Sequence, residues 1–418
     1  MTSTTPTTRP SGTAAAPARW QEVARAAGLM RGGTLRATVF AEMSALATAT
    51  GAVNLGQGFP DTDGPAEVVA AAARALVEGH NQYPPGPGIP ALRQAVAAHQ
   101  ERHYGLRVDP DREVLVTAGA TEALAAAVLA LAGPGDEVLT LEPFYDAYAA
   151  VVAMSGARHT TAPLRPGPDG LRPDLDALVE AVTSRTRVLL LNTPHNPTGT
   201  VLTPDELAVV ADLAGRHDLV VLTDEVYEHL VLDPAARHVP IASLPGMAER
   251  TLTVSSSGKT LSLTGWKIGW VTGPAALVDA VRTVKQYLTY VSGAPLQPAI
   301  AFALGDPGVA RWVDDLVASL TVRRDLLVDG LRDAGFAAVV PQGTYFVLAD
   351  AAPLGVEDGA AFCRELPGRA GVAGVPVTAF THEGSATDRE LRSWVRFTFT
   401  KREDVLHEAV ARLRAMPR

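Results

Sequence analysis

From Ala66 onward, the chain alternates between helix-like segments with one apolar face and short segments that are apolar throughout. Residues 188–191 read VLLL, and residues 219–222 read LVVL. A strand with apolar residues on both faces is typical of a parallel sheet that helices cover on both sides. The alternation of strands with helices indicates the same architecture. The sequence therefore predicts an α/β fold, with a mostly parallel sheet flanked by helices in a large domain.

The same pattern predicts where the regular elements lie. Predicted helices cover residues 67–78, 90–103, 121–131, 145–155, 204–216, 309–334 and 402–416. Predicted strands cover residues 113–117, 137–141, 187–192, 219–223, 252–255 and 344–348. After Pro295 the regular alternation stops, because one long helix precedes a strand and a terminal helix. We therefore predict a smaller α+β domain in this part of the chain.

The first 19 residues, MTSTTPTTRPSGTAAAPAR, are mainly Thr, Pro and Ala, with no acidic residue and no apolar core. A segment of this composition cannot bury enough apolar surface to offset the entropy lost on folding. We therefore predict that residues 1–19 form a disordered extension. A transit peptide, which is also basic and rich in hydroxyl groups, is the alternative.

The charge and cysteine content exclude several classes of function. Among 418 residues, 36 are Lys or Arg and 45 are Asp or Glu, which gives a formal net charge of −9. Such a chain is a poor candidate for coating nucleic acid or an anionic membrane, and no apolar run approaches the roughly 20 residues of a membrane-spanning helix. The single cysteine, Cys363, cannot form an intramolecular disulfide or a Cys-based zinc site. We therefore predict a cytoplasmic protein that binds no metal, nucleic acid or membrane.

Segments that could bind a ligand or take part in a reaction follow four of the predicted strands. In open α/β sheets, ligands bind at the carboxyl ends of the strands. The segments found there are residues 118–121 (AGAT), 192–199 (NTPHNPTG), 224–227 (DEVY) and 256–259 (SSGK). They provide an anion-binding turn at a helix start, an amide, an acid with a phenol, and a lysine with serines. Each segment alone is an ordinary turn or cap, so only the combination indicates a site.

In this order, the four segments resemble those of the fold-type I pyridoxal phosphate enzymes, and in particular the class I and II aminotransferases. The resemblance covers nearly all of the chain after residue 30. Segments similar to the branch of kynurenine, glutamine and methionine aminotransferases are residues 54–61 (NLGQGFPD), 81–83 (NQY), 142–146 (EPFYD) and 395–399 (VRFTF). Segments most similar to actinobacterial N-succinyldiaminopimelate aminotransferases are residues 39–43 (VFAEM), 81–86 (NQYPPG) and 285–288 (KQYL).

The resemblance implies how the chain is divided and assembled. A large domain of residues 56–295 would bind the cofactor, and a small domain of residues 20–55 and 296–418 would close over the substrate. It also implies a homodimer with shared active sites. In such a dimer, Tyr83 reaches the cofactor phosphate of the neighbouring subunit, and Tyr290 lines that neighbour's substrate pocket.

The resemblance further implies a site for pyridoxal 5'-phosphate. Lys259 matches the catalytic lysine, whose amine attaches to the cofactor aldehyde and later moves a proton. Asp224 matches the buried carboxylate that keeps the ring nitrogen protonated. The remaining implied cofactor ligands are Asn196 and Tyr227 at the ring oxygen, Tyr145 stacked on the ring, and Ala120, Thr121, Ser256 and Lys267 at the phosphate.

The implied substrate site lies next to the cofactor. Arg396 matches the arginine whose planar guanidinium binds the substrate α-carboxylate through two hydrogen bonds. Asn192 and the backbone of Gly56 would complete this clamp. Phe40 and Tyr290 match positions that face the substrate side chain.

We therefore predict an aminotransferase that moves an amino group between an amino acid and a 2-oxo acid by a ping-pong cycle, with glutamate and 2-oxoglutarate as one pair. The finer resemblance indicates N-succinyldiaminopimelate as the specific substrate. The alternatives are a broad-specificity methionine, glutamine or kynurenine-type aminotransferase and a cysteine-conjugate β-lyase, which needs the same lysine and clamp. A transcription regulator that uses this domain as a sensor would need an N-terminal DNA-binding domain, and no basic helical pair precedes the matching region.

Overall fold

A computed structural model describes residues 18–31, 33–167 and 170–417. Its helices are α1 Arg19–Ala26, α2 Val39–Thr50, α3 Ala66–Val77, α4 Pro90–Tyr104, α5 Gly119–Leu131, α6 Ala147–Ser155, α7 Leu175–Ala181, α8 Pro204–Arg216, α9 Ser257–Thr260, α10 Ala275–Lys285, α11 Gln297–Gly305, α12 Pro307–Asp333, α13 Gly359–Ala370, α14 Ala386–Glu390 and α15 Glu403–Arg414. None of these helices is long and apolar enough to cross a membrane. Residues 1–17 of the predicted extension lie outside the described residues, and α1 begins at Arg19.

Most strands are short, and strands and helices largely alternate between residues 114 and 285. They are β1 Met30–Arg31, β2 Thr34–Leu35, β3 Val53–Asn54, β4 Val114–Thr117, β5 Glu137–Glu142, β6 Arg158–Gly167, β7 Gly170–Pro173, β8 Thr186–Asn192, β9 Val220–Asp224, β10 Thr251–Ser256, β11 Gly269–Thr272, β12 Ala337–Ala338, β13 Phe346–Asp350, β14 Val372–Ala373, β15 Val375–Pro376 and β16 Trp394–Thr398.

The central sheet has eight strands in the order β4, β11, β10, β9, β8, β5, β6 and β7. The neighbours from β10 to β6 are parallel. In contrast, β11 is antiparallel to both of its neighbours, and β7 is antiparallel to β6. One apolar cluster packs α5, α6 and α10 on the sheet, and a second packs α7 and α8 on it. These features confirm the predicted α/β class and the mostly parallel sheet.

A smaller antiparallel sheet, in the order β12, β13, β16 and β15, lies in the C-terminal part of the chain. Its apolar core includes residues of α12, α13 and α15, and also Met43 and Leu55 from the N-terminal segment. The strand β3 pairs in parallel with β14. In contrast, α1 packs against α6 of the large sheet, where Arg19 Nη2 donates to the carbonyl oxygen of Met154 at 2.7 Å. The N-terminal segment therefore packs both on α6, beside the large sheet, and in the apolar core of the small sheet.

The bounds of most predicted elements differ from the observed bounds by no more than a residue or two. The strand predicted at residues 344–348 instead begins at Phe346. Thr344 has a φ of 64°, and this left-handed conformation cannot continue an extended strand.

Candidate active site

The carboxyl ends of β8, β9 and β10 and the N-terminus of α5 meet around one pocket, as expected for an open α/β sheet. The residues that line it are Gly119, Ala120, Thr121, Leu124, Tyr145, Asn192, Asn196, Asp224, Val226, Tyr227, Ser256, Gly258, Lys259, Thr264, Lys267 and Ile268. The structure thus brings together every predicted cofactor ligand except Tyr83. It also places Asn192, a predicted substrate ligand, in the same lining.

Lys259 lies in α9, which follows the end of β10 directly, so its side chain starts at the edge of the sheet. The Nζ atom is 5.7 Å from the ring centroid of Tyr227 and 5.7 Å from that of Tyr345. The turn is tight, since a Cβ at Gly258 would lie 3.2 Å from the Cα of Thr264. An amine that projects into the pocket from this turn can reach an aldehyde bound there.

Asp224 is the last residue of β9 and is buried. Its Oδ2 accepts a hydrogen bond from the Tyr148 hydroxyl at 2.8 Å, and its Oδ1 accepts one from the Val226 amide at 3.4 Å. Burial raises the pKa of Asp224 to about 6, although the Tyr148 hydrogen bond opposes this shift. A buried carboxylate of this kind is stabilised when a cation, such as a protonated ring nitrogen, lies beside it.

Tyr227 and Asn196 present groups that can donate hydrogen bonds into the pocket. Burial raises the pKa of the Tyr227 phenol well above its ordinary value, so the group is neutral and can donate. The Asn196 side-chain oxygen accepts from Arg396 Nη1 at 3.0 Å. The amide NH₂ of Asn196 is therefore the part of its side chain that can serve an oxygen in the pocket.

The first turn of α5 forms a cradle suited to an anion. Its amide groups have no partner within the helix, and Gly119 starts it with a φ of 72°. A Cβ at Gly269 would lie 2.6 Å from the carbonyl carbon of Gly119, so the close approach of β11 to the start of α5 requires glycine at position 269. Lys267 has a left-handed φ of 54°, and its Nζ donates to Thr121 Oγ1 at 3.2 Å. Backbone amides, a hydroxyl and a cation at one point fit a phosphate group.

Tyr145 and Phe144 point in different directions. Tyr145 lines the pocket, whereas Phe144 is buried with its ring centroid 4.8 Å from that of His159 and 5.0 Å from that of His382. Of the two aromatic residues, only Tyr145 is placed to stack on a ring in the pocket. Tyr145 is also the residue that the resemblance assigns to this stacking position.

Arg396 lies on β16 of the small sheet and is 3% exposed. Its Nη1 donates to Asn196 Oδ1 at 3.0 Å, and its Nη2 donates to the carbonyl oxygen of Gly56 at 3.2 Å. The Nε atom is buried and has no hydrogen-bond partner among the described residues. Burial lowers the pKa of this guanidinium to about 10, so it stays charged at neutral pH. A buried cation with an unused donor is suited to a carboxylate ligand.

Three aromatic rings surround the Arg396 guanidinium. The centroids of Phe346, Phe380 and Phe40 lie 4.0, 4.6 and 5.4 Å from its central carbon. Such rings attract a cation and exclude water from it. The predicted substrate residue Phe40 therefore lies directly beside the predicted carboxylate ligand.

Asn192 and Gly56 are occupied by contacts within the chain. Asn192 Nδ2 donates to the carbonyl oxygen of Asp224 at 2.8 Å, and its Oδ1 accepts from the Asn196 amide at 2.7 Å. The amide of Gly56 donates to Asn54 Oδ1 at 3.0 Å. Asn192 therefore holds two strand ends together and has one N–H left for a substrate.

Tyr83 and Tyr290 lie outside the pocket lining. Tyr83 is 81% exposed, and its ring centroid is 5.5 Å from that of Tyr290 in an edge-on contact. Tyr290 has a left-handed φ of 63°. Nearby, Lys285 Nζ donates to the carbonyl oxygens of Tyr290 and Gly86, so this amine fixes the loop that carries Tyr290.

Sequence reasoning missed several residues of the site. Four residues that contact the groups discussed above were not predicted, namely Tyr148, Tyr345, Phe346 and Phe380. Tyr148 could have been found, because it follows Tyr145 by three residues and lies in the first turn of α6. The two phenylalanines come from separate segments of the small domain, and no sequence spacing links them to Arg396.

Comparisons with known proteins agree with this geometry. Residues 50–413 match the family described as aminotransferase class I and II. The chain is 56% identical over 380 residues to a probable N-succinyldiaminopimelate aminotransferase of Mycobacterium tuberculosis, covering 90% of this chain and 95% of that protein. It is 38% identical to the methionine aminotransferase of Escherichia coli, covering 91% and 96%. The solved structure of N-succinyldiaminopimelate aminotransferase from Mycobacterium tuberculosis superposes with a TM-score of 0.89 at 54% identity, covering 96% of this chain and 100% of that one.

Proposed function

The chain belongs to the class I and II aminotransferases and is an aminotransferase, and we propose that it uses pyridoxal phosphate to transfer the amino group of N-succinyldiaminopimelate to 2-oxoglutarate. One observation carries the cofactor assignment. Lys259, the buried Asp224 and the first turn of α5 converge on a single pocket, and an aldehyde, a ring nitrogen and a phosphate need these three kinds of partner.

When bound, pyridoxal phosphate supplies an aldehyde that attaches to amines and an electron-withdrawing ring. Asp224 would hold a proton on the ring nitrogen, and Tyr227 and Asn196 would donate hydrogen bonds to the ring oxygen. Arg396 binds the substrate α-carboxylate and so fixes the orientation of the bond to the Cα hydrogen. With the cofactor bound, the Lys259 amine would act as the general base that takes up the Cα proton of the substrate and as the acid that later releases it.

The choice of substrate rests on the relatives and on the lack of charge in the segment that carries Tyr290. Aspartate would need a second cation for its distal carboxylate, and residues 287–294 around Tyr290 contain no charged side chain. Burying an unpaired carboxylate costs several kcal/mol, whereas a missing methylene costs only about 1–3 kcal/mol. The pocket therefore favours amino donors with a long side chain whose end is either neutral or far from Arg396. For N-succinyldiaminopimelate, the distal carboxylates would meet backbone amides or the remaining N–H of Lys285.

A panel of amino donors with 2-oxoglutarate as acceptor tests the substrate. We expect kcat/KM for N-succinyldiaminopimelate to be the highest, with measurable values for methionine, glutamine, phenylalanine and kynurenine. Aspartate is expected to be at least about tenfold below the best neutral donor, because its distal carboxylate would be left unpaired. A kcat/KM for aspartate above those of all the neutral donors would contradict the pocket argument.

The alternative functions have distinct signatures in the same panel. Methionine or kynurenine exceeding N-succinyldiaminopimelate would favour a broad-specificity aminotransferase, the reading that the methionine aminotransferase relative supports. A cysteine-conjugate β-lyase would turn over its donor without any 2-oxo acid. Strict dependence of donor consumption on 2-oxoglutarate therefore separates transamination from lyase activity.

We also propose that the protein is a homodimer with shared active sites. Tyr83 and Tyr287 are large aromatic side chains that are 81% and 87% exposed, and Leu288 between Tyr287 and Tyr290 is exposed as well. Clustered exposed apolar side chains are typical of an interaction surface. A second subunit on this surface would bury them and carry Tyr83 towards the neighbouring phosphate cradle.

Mixing two inactive variants tests this arrangement. We expect neither Lys259→Ala nor Tyr83→Ala chains to show appreciable turnover alone, whereas an equimolar mixture after subunit exchange regains about one quarter of wild-type activity under two-fold symmetry. The reason is that one site of each mixed dimer carries neither lesion. Native mass spectrometry confirms the exchange. No recovery in a sample with proven mixed dimers would show that Tyr83 does not act across the interface.

The environment of Cys363 supports a cytoplasmic location, which we propose as well. This cysteine is buried in α13, and burial raises the pKa of its thiol well above the ordinary value. Such a thiol packs as an apolar group and needs no disulfide. The described part of the chain is therefore compatible with a reducing compartment.

A further inference from the structure

Three histidines lie together on the far side of the turn that carries Tyr227. His99 and His103 are one helical turn apart on α4, and His229 follows Tyr227 closely in the turn after β9. One ring nitrogen from each residue lies within 4.8 Å of the others. The Nε2 atoms of His99 and His229 are 2.7 Å apart. We refer to His99, His103 and His229 as the histidine cluster. None of the three takes part in the catalytic pocket.

A buried negative charge lies beside the histidine cluster. The Glu228 carboxylate is buried and accepts hydrogen bonds from the Tyr104 hydroxyl at 2.6 Å and from Ser255 Oγ. No Lys or Arg among the described residues lies within ion-pair distance of it. A buried anion without a counter-charge is costly. A cation bound by the neighbouring imidazoles would compensate for it.

We propose that the histidine cluster binds a divalent transition-metal ion, with Zn²⁺ as the representative ligand. Imidazole nitrogens are ordinary ligands of Zn²⁺, Co²⁺, Ni²⁺ and Cu²⁺, and a pair of histidines four residues apart on a helix is a common metal-binding spacing. Three protein ligands leave a fourth position for water.

The present geometry is close to that of a metal site. In a tetrahedral zinc site with Zn–N distances of about 2.0–2.1 Å, two ligand nitrogens lie about 3.3 Å apart. The nitrogens of His99 and His229 would therefore have to separate slightly. The movement is feasible because His229 is half-buried and no second hydrogen bond locks the ring of His99, whose Nδ1 has no partner among the described residues.

An ion can reach the histidine cluster from solvent. His103 and His229 line an open surface cavity together with Tyr104, Asp233 and His238. Binding there would join α4 to the turn after β9, which also carries Tyr227. The proposed site therefore lies outside the catalytic pocket but is connected to it through a short piece of backbone.

Equilibrium dialysis of the untagged holoenzyme against Zn²⁺, with the bound metal measured by elemental mass spectrometry, tests the proposal. We expect the wild-type protein to bind one Zn²⁺ per chain. His103→Ala should bind Zn²⁺ at least about tenfold more weakly, because it removes an exposed ligand without disturbing the core. His407→Ala removes an exposed histidine on α15 and should bind like the wild type. Added Zn²⁺ should raise the Tm of the wild type and of His407→Ala, but not that of His103→Ala.

A second variant distinguishes the loss of a metal ligand from the loss of the folded structure. His99→Asn removes a buried ligand but keeps a polar side chain, and its circular dichroism should match that of the wild type while Zn²⁺ binding weakens. Equal Zn²⁺ affinity in the wild type, His103→Ala and His99→Asn would overturn the proposal, as would a wild-type protein that binds no Zn²⁺ at micromolar free concentration.

Discussion

Replacing Lys259 with alanine is expected to reduce kcat for transamination by at least about 10⁴-fold, because the variant loses both the covalent attachment of the cofactor and the general base, and the base alone contributes up to about 10⁴. Borohydride reduction followed by peptide mass spectrometry should attach pyridoxal phosphate to the Lys259 peptide of the wild type and to no peptide of the variant. The fold should persist, since Lys259 Nζ makes no hydrogen bond or ion pair with a described residue and lies 5.7 Å from the ring centroids of Tyr227 and Tyr345.

Lys267→Ala is the matched control for that experiment. Its amine donates to Thr121 Oγ1 at the phosphate cradle, so its loss should weaken cofactor binding while the reduced cofactor is still found on Lys259. If Lys259→Ala kept wild-type turnover, or if the label appeared on the peptide that contains Lys267, the assignment of the catalytic lysine would be wrong.

The second large effect is expected from Asp224→Asn, which should lower kcat by about 10²–10³-fold, the typical result of removing one well-placed electrostatic contact. An amide cannot hold a proton on the ring nitrogen through charge attraction. Steady-state kinetics at saturating pyridoxal phosphate measure this loss. Activity within threefold of the wild type would show that Asp224 does not face the ring nitrogen.

The same substitution should also reduce the pH dependence of the stability of the cofactor-free protein. The folded-state pKa of Asp224 is about 6, above its ordinary value of 3.8. The folded protein therefore holds the proton more strongly, and its stability should increase as the pH falls from about 6 towards about 4. Thermal unfolding of the apoprotein should show this increase for the wild type and a smaller one for Asp224→Asn. Tyr148→Phe serves as a control, because it removes the hydroxyl but keeps the carboxylate.

The central sheet and the pocket follow from local sequence patterns. Fully apolar strands such as β8 and β9 predict a covered parallel sheet, and the carboxyl ends of parallel strands share one edge. Asn196, Asp224 and Lys259 were therefore predicted to lie together, and they do. Arg396 could be assigned only by family resemblance, since it comes from another sheet and no spacing relates it to the pocket.

The features that the sequence did not predict depend on long-range packing. The rings of Phe346 and Phe380 reach Arg396 from separate segments. The helix α1 packs against α6, where Arg19 Nη2 donates to the carbonyl oxygen of Met154. The histidine cluster joins residues about 130 positions apart, and the spacing of His99 and His103 was its one local signal. Reasoning from cysteine content alone gave the prediction of no metal.

The pairing of β3 with β14 determines the order in which the parts of the active site can be completed during synthesis. Val53 lies opposite Val372, so its partner leaves the ribosome hundreds of residues later, which takes roughly tens of seconds at ordinary elongation rates. The central sheet and the residues around Lys259 have all been made by then. The segment with Phe40 and Gly56 must wait unpaired for β14 and for Arg396. A nascent chain therefore contains the residues of the proposed cofactor site first and completes those of the proposed substrate site only near the end of translation.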